Sequence, residues 1–209
     1  MTEKSFDVDA VILHFQECLT NEGEDVDLIR YVQAYEELSR LFDILGMIFS
    51  FVESDVKDKR EILKKLHNDD VANYSTVRSM INHEMDTEGK PKNIGARTLL
   101  RLHRALEFIV LFVQEIHLST PESNISHLFK DAYDKTLAQH HGWFVRKTVG
   151  LAAHAVPNRD FLVKTIFGHG HEPTHEEIED VATRFIDTVQ SVYDRIQVIY
   201  KERDLLNLP

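Results

Sequence analysis

One stretch, Arg97 to His117, restricts the possible folds of this chain more than any other. On a helix turning about 100° per residue, Arg97, Arg101 and Arg104 fall within about 60° of one another, and their stripe continues into Phe108 and Leu111. Leu99, Leu106, Val110 and Val113 occupy the opposite side. The one clearly polar strip, His103, Glu107 and Gln114, lies about 90° from the arginines. A helix that is apolar on two broad faces must be covered on both, so it lies between layers. Its arginines are then expected away from its solvated edge. They also occupy its first turns, where the helix macrodipole already concentrates positive charge.

The rest of the chain reads as helix as well. Ile178, Val181, Phe185, Val189, Val192, Ile196 and Ile199 recur every three or four residues, one stripe of a long amphipathic helix. Asp7 to Leu19 reads as a first helix and Val26 to Leu66 as one or two more. Tyr74 to Met85, Ile125 to Gln139, Trp143 to Ala155 (stopped by Pro157) and Asn158 to Phe167 complete the set. Connections fall at residues 87–95, 119–124 and 168–173, where glycine, proline and polar residues gather. Strand patterning, repeats and low-complexity segments are missing from the pattern. The expectation is an all-α single domain spanning residues 1–209.

Composition narrows the function. The 209 residues carry 24 Lys+Arg against 35 Asp+Glu, a formal net charge of −11, which argues against nucleic-acid binding through a basic footprint. The lone cysteine, Cys18, reads as a buried apolar filler in a reducing compartment. No signal-peptide core, lipidation site or apolar run long enough for a bilayer stands out, so the expected setting is the cytosol. No phosphate loop, paired catalytic carboxylates or Ser/His/Asp arrangement calls for chemistry or a cofactor. His171-Glu172-Pro173-Thr174-His175 matches the H-E-x-x-H zinc pattern. That pattern requires both histidines on one helix, whereas Pro173 interrupts it and Thr174 with Glu177 forms a capping box that starts the helix at His175. No metal site is expected.

Three clustered arginines in an acidic chain need an anion beside them, because desolvated like charges are costly. Protein carboxylates could supply it through ion pairs. So could an anionic ligand whose oxygens match the guanidinium fork, a phosphate or a carboxylate. Asp55 and Lys59, four apart on a helix, make an ordinary surface pair by spacing alone.

The combination is more specific than its parts. Asp55 and Lys59 after an aromatic-rich helix, then Arg97-Thr98-Leu99-Leu100-Arg101-Leu102-His103-Arg104, then His141-Gly142-Trp143 with Arg146-Lys147, and the closing Leu205-Leu206-Asn207-Leu208-Pro209, resemble the glycolipid transfer protein family. The resemblance runs from about Phe6 to the last residue. It implies a two-layer α-helical sandwich enclosing a lipid-chain pocket. It assigns Asp55 to the ceramide amide and hydroxyl, and His141 to the acyl carbonyl. Sugar-binding members carry asparagine at the position of Lys59 and tryptophan at that of Arg97. This sequence departs from them at both and resembles the branch that transfers ceramide 1-phosphate. Phosphate contact is thereby carried onto Lys59, Arg97 and Arg101, with Arg104 fitting the same stripe.

What the resemblance implies is intermembrane transfer of ceramide 1-phosphate by a monomer without enzymatic chemistry, in transient contact with anionic membranes. Phe42, Phe49, Val110, Val113, Val149 and Val156 are candidate pocket liners. Trp143, Arg146 and Lys147, with Lys90 and Lys92 in the connecting loop, are candidate membrane contacts, against plain roles in the core and in a solvated loop. The competing reading is a helical adaptor whose arginine stripe binds a phosphopeptide or an inositol phosphate.

Overall fold

The long helix expected between layers forms as α5, Ile94–His117, in a computed structural model that describes residues 6–46, 49–86, 93–168 and 171–209. Before it come α1 (Val8–Gln16), α2 (Leu28–Ile44), α3 (Ser50–Asp69) and α4 (Val77–Asp86). After it come α6 (Ile125–Lys135), α7 (Trp143–Ala152), α8 (Arg159–Phe167) and α9 (His175–Glu202). The two apolar faces of α5 are covered by different neighbours. Its Phe108 and Phe112 meet Phe129 of α6 edge-on, with ring centroids 5.2 and 5.3 Å apart. Elsewhere on the helix, Tyr200 of α9 donates its hydroxyl to the Ala96 carbonyl at 2.7 Å. The fold is the expected two-layer α-helical sandwich.

Local sequence sets most helix starts. Asp7, Asp27, Asn124 and Asn158 cap α1, α2, α6 and α8 by accepting backbone N–H groups, and Thr174 with Glu177 forms the capping box of α9. His171 therefore lies before α9, where its ring meets the Glu177 carboxylate at 3.2 Å. Helix α5 has no side-chain cap of its own. Glu84 of α4 supplies one, accepting the N–H groups of Gly95 (2.7 Å) and Ala96 (2.9 Å) and the Tyr74 hydroxyl (3.2 Å). The approach is close: a Cβ at Gly95 would lie 2.6 Å from Met80 Sδ and 2.8 Å from Glu84 Oε1, so any larger residue would have to displace these side chains. An anion at this helix end also offsets the macrodipole.

Several expected boundaries shift. Leu19, the expected end of the first helix, and Val26, the expected start of the next, instead belong to a ribbon of two short strands, β1 (Leu19–Thr20) and β2 (Asp25–Val26), paired Leu19 to Val26 and Thr20 to Asp25. The turn between them holds Asn21, Glu22 and Gly23 at positive φ. Strands this short leave no periodicity to read. Gly46, at φ +97°, separates α2 from α3. Helix α6 stops at Lys135 because Thr136 turns away (φ −118°, ψ −80°) and donates its hydroxyl to the Ala132 carbonyl at 2.7 Å. Cys18 is buried, as expected.

The polar strip of α5 is the larger correction. It does not face solvent as a unit. His103 is 1% exposed, its ring stacked on Tyr193 of α9 at 4.2 Å, with Nε2 2.7 Å from Gln197 Oε1. Glu107 is half-buried and accepts the Tyr193 hydroxyl. Conversely, Arg101 is exposed. His103 and Glu107 of the polar strip thus pack against α9, while Gln114 is exposed, and of the arginine stripe Arg101 is the residue left open.

Burial holds the His103 imidazole down to about 4. An unfolded imidazole takes up its proton near 6.5. The stability contributed by the neutral ring is therefore present above about pH 6.5 and is lost as pH falls toward 4. Between pH 7 and 5 the wild type is expected to lose about 2 kcal/mol more unfolding free energy than His103→Phe, which keeps a ring against Tyr193 but cannot titrate. Urea denaturation at the two pH values measures this, and equal losses would contradict it.

Candidate functional site

A cavity of about 610 Å³ opens where α2, α3, α5, α6, α7 and α8 converge. Its volume lies in the range of small-molecule sites. Most of the wall is apolar. Phe129 stands edge-on to Phe49 (5.9 Å), Phe108 and Phe112, and the last two stack at 5.8 Å. Of the liners expected from sequence, Phe42, Phe49, Val113 and Val149 take part, whereas Val110 and Val156 do not. Leu162 and Ile166 of α8 line it as well. The signal for Phe108 was available: it continues the arginine stripe, of which Arg101, Arg104 and Phe108 line the cavity.

The polar part of the wall gathers most of the nominated residues. Helix α3 packs on α5, which brings Asp55 and Lys59 into the same wall as Arg101 and Arg104. The turn of 3₁₀ helix at Leu137–His140 then delivers His140 and His141. Lys59 is 12% exposed at its side chain and forms an ion pair with Asp55, whose own side chain is 67% exposed. Its ammonium also donates to the Asp55 backbone carbonyl at 3.3 Å. The i,i+4 pair is thus made, inside the cavity wall. Arg97, one turn before Arg101, is half-buried and is not among the lining residues, and its Nε is buried with no hydrogen-bond partner. A buried donor in that state is unsatisfied by the protein itself.

Arg104 makes a contact that sequence could not show. Its Nη2 donates to the backbone carbonyls of Leu206 (2.8 Å) and Leu208 (3.1 Å), tying the last residues to α5, and Pro209 lines the cavity. Burial, followed by the Arg101 guanidinium, lowers the Arg104 pKa. His141 is lowered by burial, with Asp55 opposing and Lys59 reinforcing the shift, so its ring is neutral near pH 7. Its Nδ1 lies 2.8 Å from the Tyr133 hydroxyl. Sequence reasoning passed over both Tyr133 and His140, since nothing in helical periodicity separates a cavity liner from a core residue.

Beyond His141 the chain turns its apolar side chains outward. Trp143 is 67% exposed, Phe144 76% and Leu151 73%. Arg146 and Lys147 are exposed beside them, and the Lys147 ammonium sits 5.4 Å from the centre of the Trp143 ring. Trp143 is not a core residue. Lys90 and Lys92 lie outside the described residues. No described helix is long and apolar enough to cross a membrane.

The family model described as Glycolipid transfer protein (GLTP) matches residues 26–168. The chain belongs to this family. It is 33% identical to the ceramide-1-phosphate transfer protein of Rattus norvegicus, over 99% of this chain and 98% of that one. Identity to the glycolipid transfer protein of Danio rerio is 26%, over 85% of this chain and 88% of that one. Among solved structures, human ceramide-1-phosphate transfer protein in complex with 12:0 ceramide-1-phosphate superposes with a TM-score of 0.88 at 30% identity, over 98% of this chain and all of that one. The apo-form of the mouse protein gives the same TM-score at 32% identity.

The bond between Arg104 and the last residues is testable without a ligand. Arg104→Leu removes a charged donor from two carbonyls, and such bonds contribute about 1.5–3 kcal/mol each. Amide exchange at Leu205 and Leu208, whose N–H groups bond to the Tyr200 and Leu205 carbonyls, is expected to accelerate about tenfold or more in the variant. Unchanged exchange would mean that the arginine does not hold this segment.

Proposed function

We propose that this chain binds ceramide 1-phosphate and carries it between membranes without altering it chemically. The observation that supports this best is the continuity of one cavity: a phenylalanine-rich wall running up to Lys59, Arg101, Asp55 and His141. A two-chain lipid needs both parts. Each methylene exposed to water costs about 0.8 kcal/mol, so an apolar cavity makes extraction from a bilayer nearly balanced. A phosphate monoester carries about −1.5 to −2 charge near neutral pH, which the cations around Asp55 are suited to neutralise. A neutral sugar headgroup would leave that positive charge uncompensated. The full-length similarity to ceramide-1-phosphate transfer proteins supports the same reading.

The roles proposed are those that the family resemblance implies. Asp55 accepts from the ceramide amide and hydroxyl, and His141 donates to the acyl carbonyl. Lys59 and Arg101 hold the phosphate from the cavity wall, and the unpartnered Nε of Arg97 supports a third contact from one turn earlier. Arg104 contributes charge from its position against the last residues. An adaptor for a phosphopeptide or an inositol phosphate would need the cations but not the phenylalanine cavity, so the cavity favours the carrier. Trp143 and Phe144, flanked by Arg146 and Lys147, fit docking on an anionic bilayer surface, and the working compartment is the cytosol.

Removing one partner of a desolvated charge pair typically costs about 2–5 kcal/mol. Arg101→Leu is therefore expected to cut ceramide-1-phosphate transfer between vesicles more than tenfold. Arg97→Lys is expected to lose activity too, because an ammonium lacks the guanidinium fork. Asp55→Val is expected to abolish transfer of any ceramide lipid, leaving the amide and hydroxyl donors without an acceptor. A fluorescence vesicle-transfer assay with ceramide 1-phosphate and a glycosylceramide side by side checks all three. Equal wild-type rates for the two lipids would overturn the headgroup assignment.

Docking has its own test. Replacing Trp143 and Phe144 together by alanine is expected to weaken adsorption to phosphatidylserine vesicles about tenfold or more, from the apolar area withdrawn. Cavity binding of detergent-solubilised lipid is expected to be retained. Unchanged sedimentation with the vesicles would exclude this face as the membrane contact.

A further inference from the structure

Resting on the function proposed above, we infer that Tyr133 is a positioning residue that fixes the tautomer and orientation of His141 for its contact with the ceramide acyl carbonyl. Tyr133 is 3% exposed, lines the cavity from the last turn of α6, and has its hydroxyl 2.8 Å from His141 Nδ1. The two rings lie 5.7 Å apart and tilted by 35°. They are eight residues apart, on either side of the break at Thr136 that ends α6 and turns the chain back toward the cavity.

The direction of this hydrogen bond decides what His141 can do. A neutral imidazole has one N–H and one lone pair, so the partner at Nδ1 determines which nitrogen is left to donate. His141 is kept neutral by burial, with the Lys59 ammonium disfavouring its protonation and the Asp55 carboxylate favouring it. Tyr133 meets no second side chain or carbonyl through a hydrogen bond among the described residues. Were Nδ1 to carry the proton and donate, the phenolic O–H would have no acceptor among the described residues, at a cost comparable to a lost hydrogen bond. The hydroxyl therefore donates to Nδ1, and the proton of the ring resides on Nε2. Nε2–H is then the one group of this ring that can donate to a carbonyl oxygen. A ring without this anchor would turn about its side-chain bonds and exchange tautomers, presenting a lone pair to the carbonyl part of the time.

This mechanism reads the amide of the lipid rather than its headgroup, so it acts equally on every ceramide-based ligand. Arg101 and Lys59 discriminate between headgroups; Tyr133 does not.

The test uses the full chain and Tyr133→Phe, which keeps the ring and removes only the hydroxyl. Thermal unfolding confirms that the variant is folded. Long-range proton–nitrogen NMR of histidine-labelled protein above the His141 titration is expected to show a wild-type ring with the proton on Nε2 and an unprotonated Nδ1, and a mixture of tautomers in Tyr133→Phe. Vesicle transfer of ceramide 1-phosphate is expected to fall about three- to tenfold in the variant, with the ratio of ceramide 1-phosphate to glycosylceramide transfer unchanged. In a His141→Leu background the same substitution is expected to have no further effect, because the two residues act as one unit. A wild-type ring with its proton on Nδ1, a variant that transfers at the wild-type rate, or a full additional loss in the His141→Leu background would overturn the inference. A wild type that holds the Nε2–H tautomer but moves no ceramide lipid would instead overturn the function on which it rests, and the proposed role with it.

Discussion

Everything in this fold depends on α5 being covered along both of its apolar faces while its first turns stay positively charged. Helices α9 and α4 take one part of that burden, through the Tyr200 hydroxyl on the Ala96 carbonyl and the Glu84 carboxylate on the N–H groups of Gly95 and Ala96. That carboxylate neutralises the helix end itself. It does nothing for Arg101, which lines the cavity on another side of the helix. There the neighbours are the phenylalanines of the cavity wall, which can bury chains but cannot balance charge. On the function proposed here, a phosphate on a lipid tail supplies the balancing anion.

The cavity sets a limit on how well the interior can pack. Interiors reach crystal-like density, and a space of about 610 Å³ withholds dispersion contacts from its lining. The surrounding helices are anchored by polar bonds: His103 against Tyr193 and Gln197 away from the cavity and, in its wall, Tyr35 through its hydroxyl on the Leu102 carbonyl at 2.5 Å and Arg104 on the last residues. These polar bonds lie on the flanks of α5 and at the end of the chain.

Much of this was legible in the sequence, for identifiable reasons. The 3.6-residue period gave α9 and α5 their faces, and the Thr174–Glu177 capping box located the start of α9 and removed His171 from any helical zinc site. The arginine stripe was visible because three like charges at the wrong end of an apolar helix need an explanation. Other features depend on partners far away in the chain. His103 looks like a surface residue until Tyr193 and Gln197 arrive about ninety residues later. Arg104 reads as one more phosphate ligand until the last residues return to meet it, 102 and 104 positions on. The ribbon at Leu19–Val26 is too short for any pattern. Which valines face the cavity and which face the core is a matter of tertiary packing, and Val110 and Val113 divide accordingly.

The central claim is that one two-chain lipid with a phosphate headgroup occupies the cavity through the cations of α3 and α5. Native mass spectrometry after incubation with vesicles containing equal amounts of ceramide 1-phosphate, glycosylceramide and sphingomyelin tests it most directly. The account predicts a single added mass equal to one ceramide 1-phosphate per chain, lost in Asp55→Val. Equal occupancy by the three lipids, or no bound lipid at all, would contradict it.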